Sequence, residues 1–336
     1  MTMYRDVIRR IADEVVILDE RTFSHPRFGR LTPPRDMEAR SDYPVVSYLS
    51  RVIYLTYYAG DDAAARLLIG GGKVAAALVD HEDYAFTEQI HAANTGTGYR
   101  VPGWRVRSPR DDAWLIEKDG ITVLAAADDL VHDGPLAPDD EVAVVLPPWR
   151  RYAVLGWYMA VGDEGPPHKS DESTMVRVYF TLAGPDAAPD VMRVVTGELN
   201  RRKVPFSFKL ANHPSAYVRR DAGVLYLREA DWLDHESMVP EIHGQLTGRL
   251  RDDRPCFVKP LLPGISFAVE PQLSGRTVSF GENRCTLVAE GLVAAHAGGV
   301  TDLEGRIEAV AERFRQEGLS IERPYEAPQP LLGAAP

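Results

Sequence analysis

Cysteine is nearly absent: Cys256 and Cys285 are the only two in 336 residues. Two cysteines make neither a disulfide framework nor a zinc motif. No apolar run approaches the ~18 residues of a membrane span. The N-terminal stretch "MTMYRDVIRRIADEVVILDE" has no apolar signal-peptide core. A cytoplasmic location and no membrane partner are therefore expected. Positive charge is also in deficit. The net charge of −11 excludes nucleic-acid binding by the body of the chain on electrostatic grounds, yet permits a local basic pocket for an anion. There is no G-x-S-x-G elbow, Walker loop or dinucleotide fingerprint. His168 and His213 stand alone, so no metal and no other cofactor is expected. No repeat is visible at solenoid or propeller periods.

What remains is an ordinary globular composition, 45% hydrophobic and 26% charged. The N-terminal stretch reads as an amphipathic helix with Val7, Ile8, Ile11, Val15 and Val16 on one face. Residues 44–69 read as a tyrosine-rich helix and 75–93 as another. "WRVRS", "WLIEKDGITVLAA" and "EVAVVLP" read as strands, with Asp119-Gly120 as a hairpin turn. "GDEGPPHKSDEST" (162–174) is the best internal boundary or mobile loop. "MVRVYFTL" (175–182) alternates with period two. A helix over about 186–201 follows, then the strand "VPFSFKL" (204–210). Strand, helix, strand is a crossover unit, whose two strands are expected as parallel neighbours. A strand over 222–229 and helices over 236–250, within 274–297 and over 302–317 complete an α+β pattern.

"VPFSFKL" holds Lys209 among aromatics. Such a lysine is either a snorkelling stem at a sheet edge or a buried amine with a task. If the two crossover strands are adjacent, Arg177, Tyr179 and Lys209 share a surface. Arg219, Arg220, Tyr226 and Arg284 follow downstream. Several cations and two phenols suit a dianion, because arginine offers phosphate a planar fork of donors. Each also has a bland reading: a solvated strand residue, an amphipathic sheet tyrosine, a surface ion pair of Arg219 or Arg220 with Asp221, or a plain turn at "SFGENRC". Composition and spacing stop at an α+β protein with a cationic pocket.

The stretches "AANTGTGYRVPGW" (92–104), "RYAVLGWYMAVGD" (151–163), "VRVYFTL" (176–182), "LNRRKVPFSFKLANHPSAYVRRDAGVLYL" (199–227) and "FAVEPQLSGRTVSFGENRC" (267–285) go further. They resemble the HopA-type effector family, first named from plant-pathogen type III secretion. Members outside pathogens occur in the biosynthesis of class V lanthipeptides and thioamitides. There the resemblance implies a lyase partnered with a separate phosphotransferase-like kinase. The kinase phosphorylates Ser or Thr of a precursor peptide, and the lyase eliminates phosphate to leave dehydroalanine or dehydrobutyrine. The family is more remotely similar to bacterial phosphothreonine lyases and to the lyase domains of class III and IV lanthipeptide synthetases. This implies an α+β fold with a twisted mixed β-sheet, flanking helices and a phosphothreonine-lyase-like core. The implied division is an N-terminal helical and β-hairpin region (1–165), the lyase-like core (166–300) and a C-terminal helix with a loose tail (301–336).

Those relatives have a strand carrying Lys-x-His and a later Phe-Lys whose lysine is the general base. By this resemblance Lys209 is the base. Such a lysine acts only as the free amine, a form that burial against Phe206 and Phe208 and neighbouring guanidinium groups would favour. At the Lys-x-His positions this chain has Arg177 and Tyr179. The acid is then Tyr179, expected to ionise early beside arginines, or His213, or phosphate leaves with little proton help. Arg219, Arg220 and Arg284 fall where the lyases keep phosphate-binding arginines, and Tyr226 would bond a phosphate oxygen or the substrate carbonyl. The rival is a non-catalytic phosphopeptide-binding effector, or a scaffold that holds a kinase and its precursor peptide together.

Overall fold

The computed structural model describes residues 2–35, 43–70, 82–151, 153–167, 174–271 and 278–328. The first helix, α1 (Met3–Glu14), is capped by the Thr2 side chain, which accepts from the Arg5 N–H. Tyr4, Ile8, Ile11 and Ala12 form its buried stripe. Val16 does not extend that stripe; it is exposed and starts a three-stranded meander, β1 (Val16–Asp19), β2 (Thr22–His25) and β3 (Gly29–Leu31).

The helix expected over 44–69 is three pieces. α2 (Pro44–Ile53) runs into a π-helix (Tyr54–Ala59), and α3 (Asp62–Ile69) starts afresh on the Asp61 cap. Gly60 separates them at φ 72°, where glycine turns left-handed without strain. Residues 71–81 lie outside the described ones, so the next expected helix is seen as α4 (Tyr84–Ala93).

A second sheet holds β4 (Tyr99–Arg110), β5 (Ala113–Lys118), β6 (Ile121–Ala126), β7 (Leu130–Val131) and β8 (Glu141–Leu146), ordered β6-β5-β4-β8-β7. Asp119 and Gly120, at φ 51° and 77°, make its expected hairpin turn.

The central sheet holds β9 (Trp157–Val161), β10 (Met175–Phe180), β11 (Ser207–Ala211), β12 (Gly223–Arg228), β13 (Lys259–Leu262) and β14 (Ile265–Val269). Their order is β13-β14-β10-β12-β11-β9. The crossover helix α5 (Ala188–Arg201) forms where expected, burying Val191, Met192, Val195 and Leu199. The strands it joins are not neighbours: β12 lies between them, antiparallel to both. All pairings in this sheet are antiparallel, where a mixed sheet was expected. The short helical turn Pro214–Val218 explains the change. A tight connection after β11 suffices for an antiparallel return strand, which fills the slot that the crossover leaves open. The edge strand β9 comes from before residue 166, so the sheet draws on the expected N-terminal region. His168 and the glycine stretch 274–277 lie outside the described residues.

Helices cover both faces of this sheet. On one side, Val178, Phe180, Phe208 and Leu210 pack against α5 and, after α6 (Glu229–His235), against α7 (Met238–Gln245). On the other side lie α2, the π-helix and α8 (Phe280–Ala297), with Tyr58, Tyr179, Val224, Phe280 and Val288 in one core. α9 (Leu303–Gln316) packs on α8. Every residue of β10 is consequently buried, although its alternation alone reads as a strand with one wet face.

Candidate active site

Paired residues of antiparallel strands point to the same side of the sheet. The register places Arg177 opposite Tyr226 and Tyr226 opposite Ser207. It places Tyr179 opposite Val224 and Val224 opposite Lys209. Arg177, Tyr179, Tyr226 and Lys209 therefore share the face beneath α8, although their strands are arranged otherwise than expected. The Tyr226 ring lies between two cations, with Arg177 Cζ 5.0 Å and Lys209 Nζ 5.5 Å from its centre. Lys209 is half-buried, and its Nζ sits 4.3 Å from the centre of the Trp157 ring on β9. Phe206 and Phe208, expected around the amine, point into the opposite layer, as alternation along a strand requires.

Arg219 precedes β12 and is held by Asp221 through two contacts, Nε to Oδ1 at 2.9 Å and Nη2 to Oδ2 at 3.0 Å. Tyr54 closes the triangle: its oxygen accepts from Arg219 Nη2 at 3.0 Å and donates to Asp221 Oδ2 at 2.7 Å. Burial alone would raise the Asp221 carboxyl. Arg219, with help from Tyr54 and from the Lys209 charge, holds it below the ordinary carboxylate range. Arg219 Cζ is 6.0 Å from the Trp157 ring, so that indole stands between Arg219 and Lys209.

Arg177 is 6% exposed. Its Nε lies 3.5 Å from Glu270 Oε2 but has no hydrogen-bond partner among the described residues. The hydroxyl of Ser266 on β14 is likewise without a partner, while that of its register partner Tyr179, 2% exposed, faces the Tyr58 hydroxyl. An unsatisfied buried group costs about 1–3 kcal/mol, and native folds keep few. This one patch holds two, Arg177 Nε and Ser266 Oγ. Burial pushes the Tyr179 phenol up to about 12 against the opposing effect of Arg177. The expected early ionisation is thereby reversed.

The other expected residues are placed elsewhere. Arg220 turns away from its neighbour Arg219, donating from Nε to Asp253 at 2.9 Å and from Nη1 to the Tyr57 carbonyl at 2.8 Å. Arg284 is 1% exposed. It donates to the carbonyls of Pro324 at 2.7 Å and Glu326 at 3.1 Å, and to Asn283 Oδ1. Burial pulls its guanidinium down to about 10. It straps the C-terminal segment to α8. His213 lies beyond the end of β11, where its Nδ1 accepts from the Ser215 N–H at 3.2 Å. The start of α8 is closed by a Ser279–Glu282 capping box. Gly281 there makes room for a tyrosine, since a Cβ would stand 2.5 Å from Tyr58 Cε1.

Trp157, Tyr54 and Glu270 were not expected at the site, and Asp221 was expected only as a surface partner of Arg219 or Arg220, whereas its pair with Arg219 is buried. The sequence placed Tyr54 only within a tyrosine-rich helix. Trp157 and Glu270 became visible only through register and the return of the chain.

The HopA1 effector protein family model matches residues 150–326, more than half of the chain. The chain belongs to the HopA1 effector protein family. The HopA1 region contains Trp157, Arg177, Lys209, Arg219, Tyr226 and Glu270, and ends on Glu326, one of the residues Arg284 binds. Tyr54 and Tyr58 come from outside it, as does the stretch 92–104. Two solved effector proteins are similar in structure. The one from Pseudomonas syringae pv. tomato strain DC3000 has a TM-score of 0.42 and 13% identity, over 72% of this chain and 79% of that one. The one from Pseudomonas syringae pv. syringae strain 61 has a TM-score of 0.43 and 13% identity, over 73% and 80%. No curated protein matches the sequence.

Proposed function

We propose that this protein is a phosphoserine/phosphothreonine lyase. It β-eliminates phosphate from a precursor peptide phosphorylated by a phosphotransferase-like kinase, leaving dehydroalanine or dehydrobutyrine during maturation of a lanthipeptide or thioamitide. One observation carries the reading: the amine of Lys209 is held by two aromatic rings on a strand, beside two buried guanidinium groups. A phosphopeptide binder needs cations. It does not need one amine set apart on a rigid element. The likeness of "FSFKL" to the base motif of the lyases supports the same assignment.

The chemistry follows from the placement. Lys209, as free amine, takes the Cα proton of the phosphorylated residue. The electron pair of that C–H bond becomes the Cα=Cβ bond while the Cβ–O bond breaks. Phosphate departs with the bridging oxygen, and Lys209 is left as ammonium. Arg177 and Arg219 stabilise the charge that grows on the leaving group. Arg177 Nε is without a hydrogen-bond partner among the described residues, so it has a donor to give. Glu270 competes with the phosphate for this guanidinium. For the proton to the leaving oxygen, Tyr226 is better placed than the expected acids. It is half-buried between Arg177 and Lys209, whereas Tyr179 is covered and His213 caps a turn.

The test is incubation with a phosphothreonyl peptide, followed by mass spectrometry. The reading expects loss of phosphoric acid and a dehydrobutyrine that adds a thiol. Recovery of unmodified peptide, or of threonine by hydrolysis, would overturn it.

A further inference from the structure

On the other side of the π-helix lies a cleft of about 440 Å³. Thr56 and Tyr57 form part of its wall, with Met3 and Val7 from α1 and Arg254 and Cys256 from the segment before β13. Three further arginines border it, and each has a carboxylate. Arg10 pairs with Glu14 at 3.0 Å, Arg27 with Asp62 at 2.7 Å and Arg220 with Asp253 at 2.9 Å. Arg254 differs. Among the described residues it has no ion pair; its Nη2 meets the Met3 sulfur at 3.9 Å, and its buried Nε has no hydrogen-bond partner. Thr56 is 6% exposed, and its hydroxyl is likewise without a partner. An uncompensated cation and an orphaned hydroxyl lining one cleft mark a place for an anionic group.

The paired arginines limit the charge that fits. Arg254 offers one uncompensated positive charge. A phosphate dianion would meet it but would also face Asp62 and Asp253, with Asp252 exposed at the rim. A single carboxylate matches better. Met3, Val7 and Cys256 supply apolar wall beside it, and the volume lies within the range of ligand sites. We propose that this cleft binds an acidic peptide segment, with one side-chain carboxylate on Arg254 and Thr56 and its apolar neighbours against Met3 and Val7.

The test is a nuclear magnetic resonance titration of the full chain with three probes: acetyl-Leu-Glu-Leu-amide, acetyl-Leu-Gln-Leu-amide and inorganic phosphate. Amide shifts of Thr56, Tyr57 and Arg254 are followed. The glutamate peptide should saturate these shifts, and the glutamine peptide should bind at least about tenfold more weakly, the loss of one charged hydrogen bond. Arg254→Gln should cost a similar factor. Thr56→Val should weaken binding while the ligand-free protein melts no lower, because an unsatisfied hydroxyl is removed; this variant carries the test if Arg254→Gln does not fold. Lys209→Ala should leave binding unchanged, which separates this site from the proposed lyase site. Equal binding of the two peptides, unaltered binding by folded Arg254→Gln or Thr56→Val, or tighter binding of phosphate than of the glutamate peptide would each overturn the proposal.

Discussion

Tyr226 stands between Arg177 and Lys209, its ring centre 5.0 Å from the guanidinium carbon and 5.5 Å from the amine. One residue thus touches both the group proposed to bind phosphate and the group proposed to take the proton. If its hydroxyl protonates the leaving oxygen, Tyr226→Phe should slow elimination by about 10²–10⁴-fold. The ring stays, so both cations keep their aromatic contact and phosphopeptide binding should change little. A rate within threefold of the parent would make Tyr226 a packing residue.

Tyr179 leads to the opposite expectation. Tyr179→Phe should keep the elimination rate, because the phenol is covered, 2% exposed beneath Tyr58. Its pKa in the folded chain is about 12, above the unfolded value of about 10. The folded state thus favours the neutral phenol. That contribution, about 3 kcal/mol for two pKa units, is fully present below pH ~10 and lost as pH rises toward 12. Alkaline unfolding of Tyr179→Phe should be correspondingly shallower over that interval, as followed by circular dichroism.

If phosphate binds at Arg177 as proposed, Glu270 opposes it. Its carboxylate is 3.5 Å from Arg177 Nε and repels an incoming dianion. Glu270→Gln should tighten inhibition by inorganic phosphate several-fold, since about 1.4 kcal/mol corresponds to tenfold. Weaker inhibition would mean that Glu270 orients Arg177 and does not compete for it.

Arg284 separates folding from binding. Its buried guanidinium ties α8 to Pro324 and Glu326. Arg284→Ala should lower unfolding free energy by about 3 kcal/mol or more and free the C-terminal segment to protease. Inhibition by phosphate, measured below the lowered melting point, should be unchanged.

The sequence carried the elements better than their arrangement. The alternation of 175–182 located β10 and put Arg177 and Tyr179 on one face. The same rule applied to 204–210 sets Lys209 on a face opposite Phe208, so the expected burial of the amine against Phe206 and Phe208 was at odds with it. Strand order was not legible, because β12 inserts by virtue of a turn at Pro214–Val218, and local pattern does not encode which slot a returning strand fills. The burial of Tyr179 was hidden for a related reason. Its cover comes from the π-helix near residue 58 and from α8 near residue 280, at the two ends of the chain. Arg219 and Arg220 are adjacent and look alike in sequence. The structure turns one to Asp221 and Tyr54 and the other to Asp253.

Lys209 is the residue proposed to take the proton. The most direct measurement compares the parent and Lys209→Ala on one phosphothreonyl peptide, recording dehydrobutyrine by mass spectrometry and peptide affinity by calorimetry. Lys209→Ala should fold, still bind the peptide through Arg177 and Arg219, and form no dehydrobutyrine. Dehydrobutyrine formed by Lys209→Ala at the parental rate would contradict it.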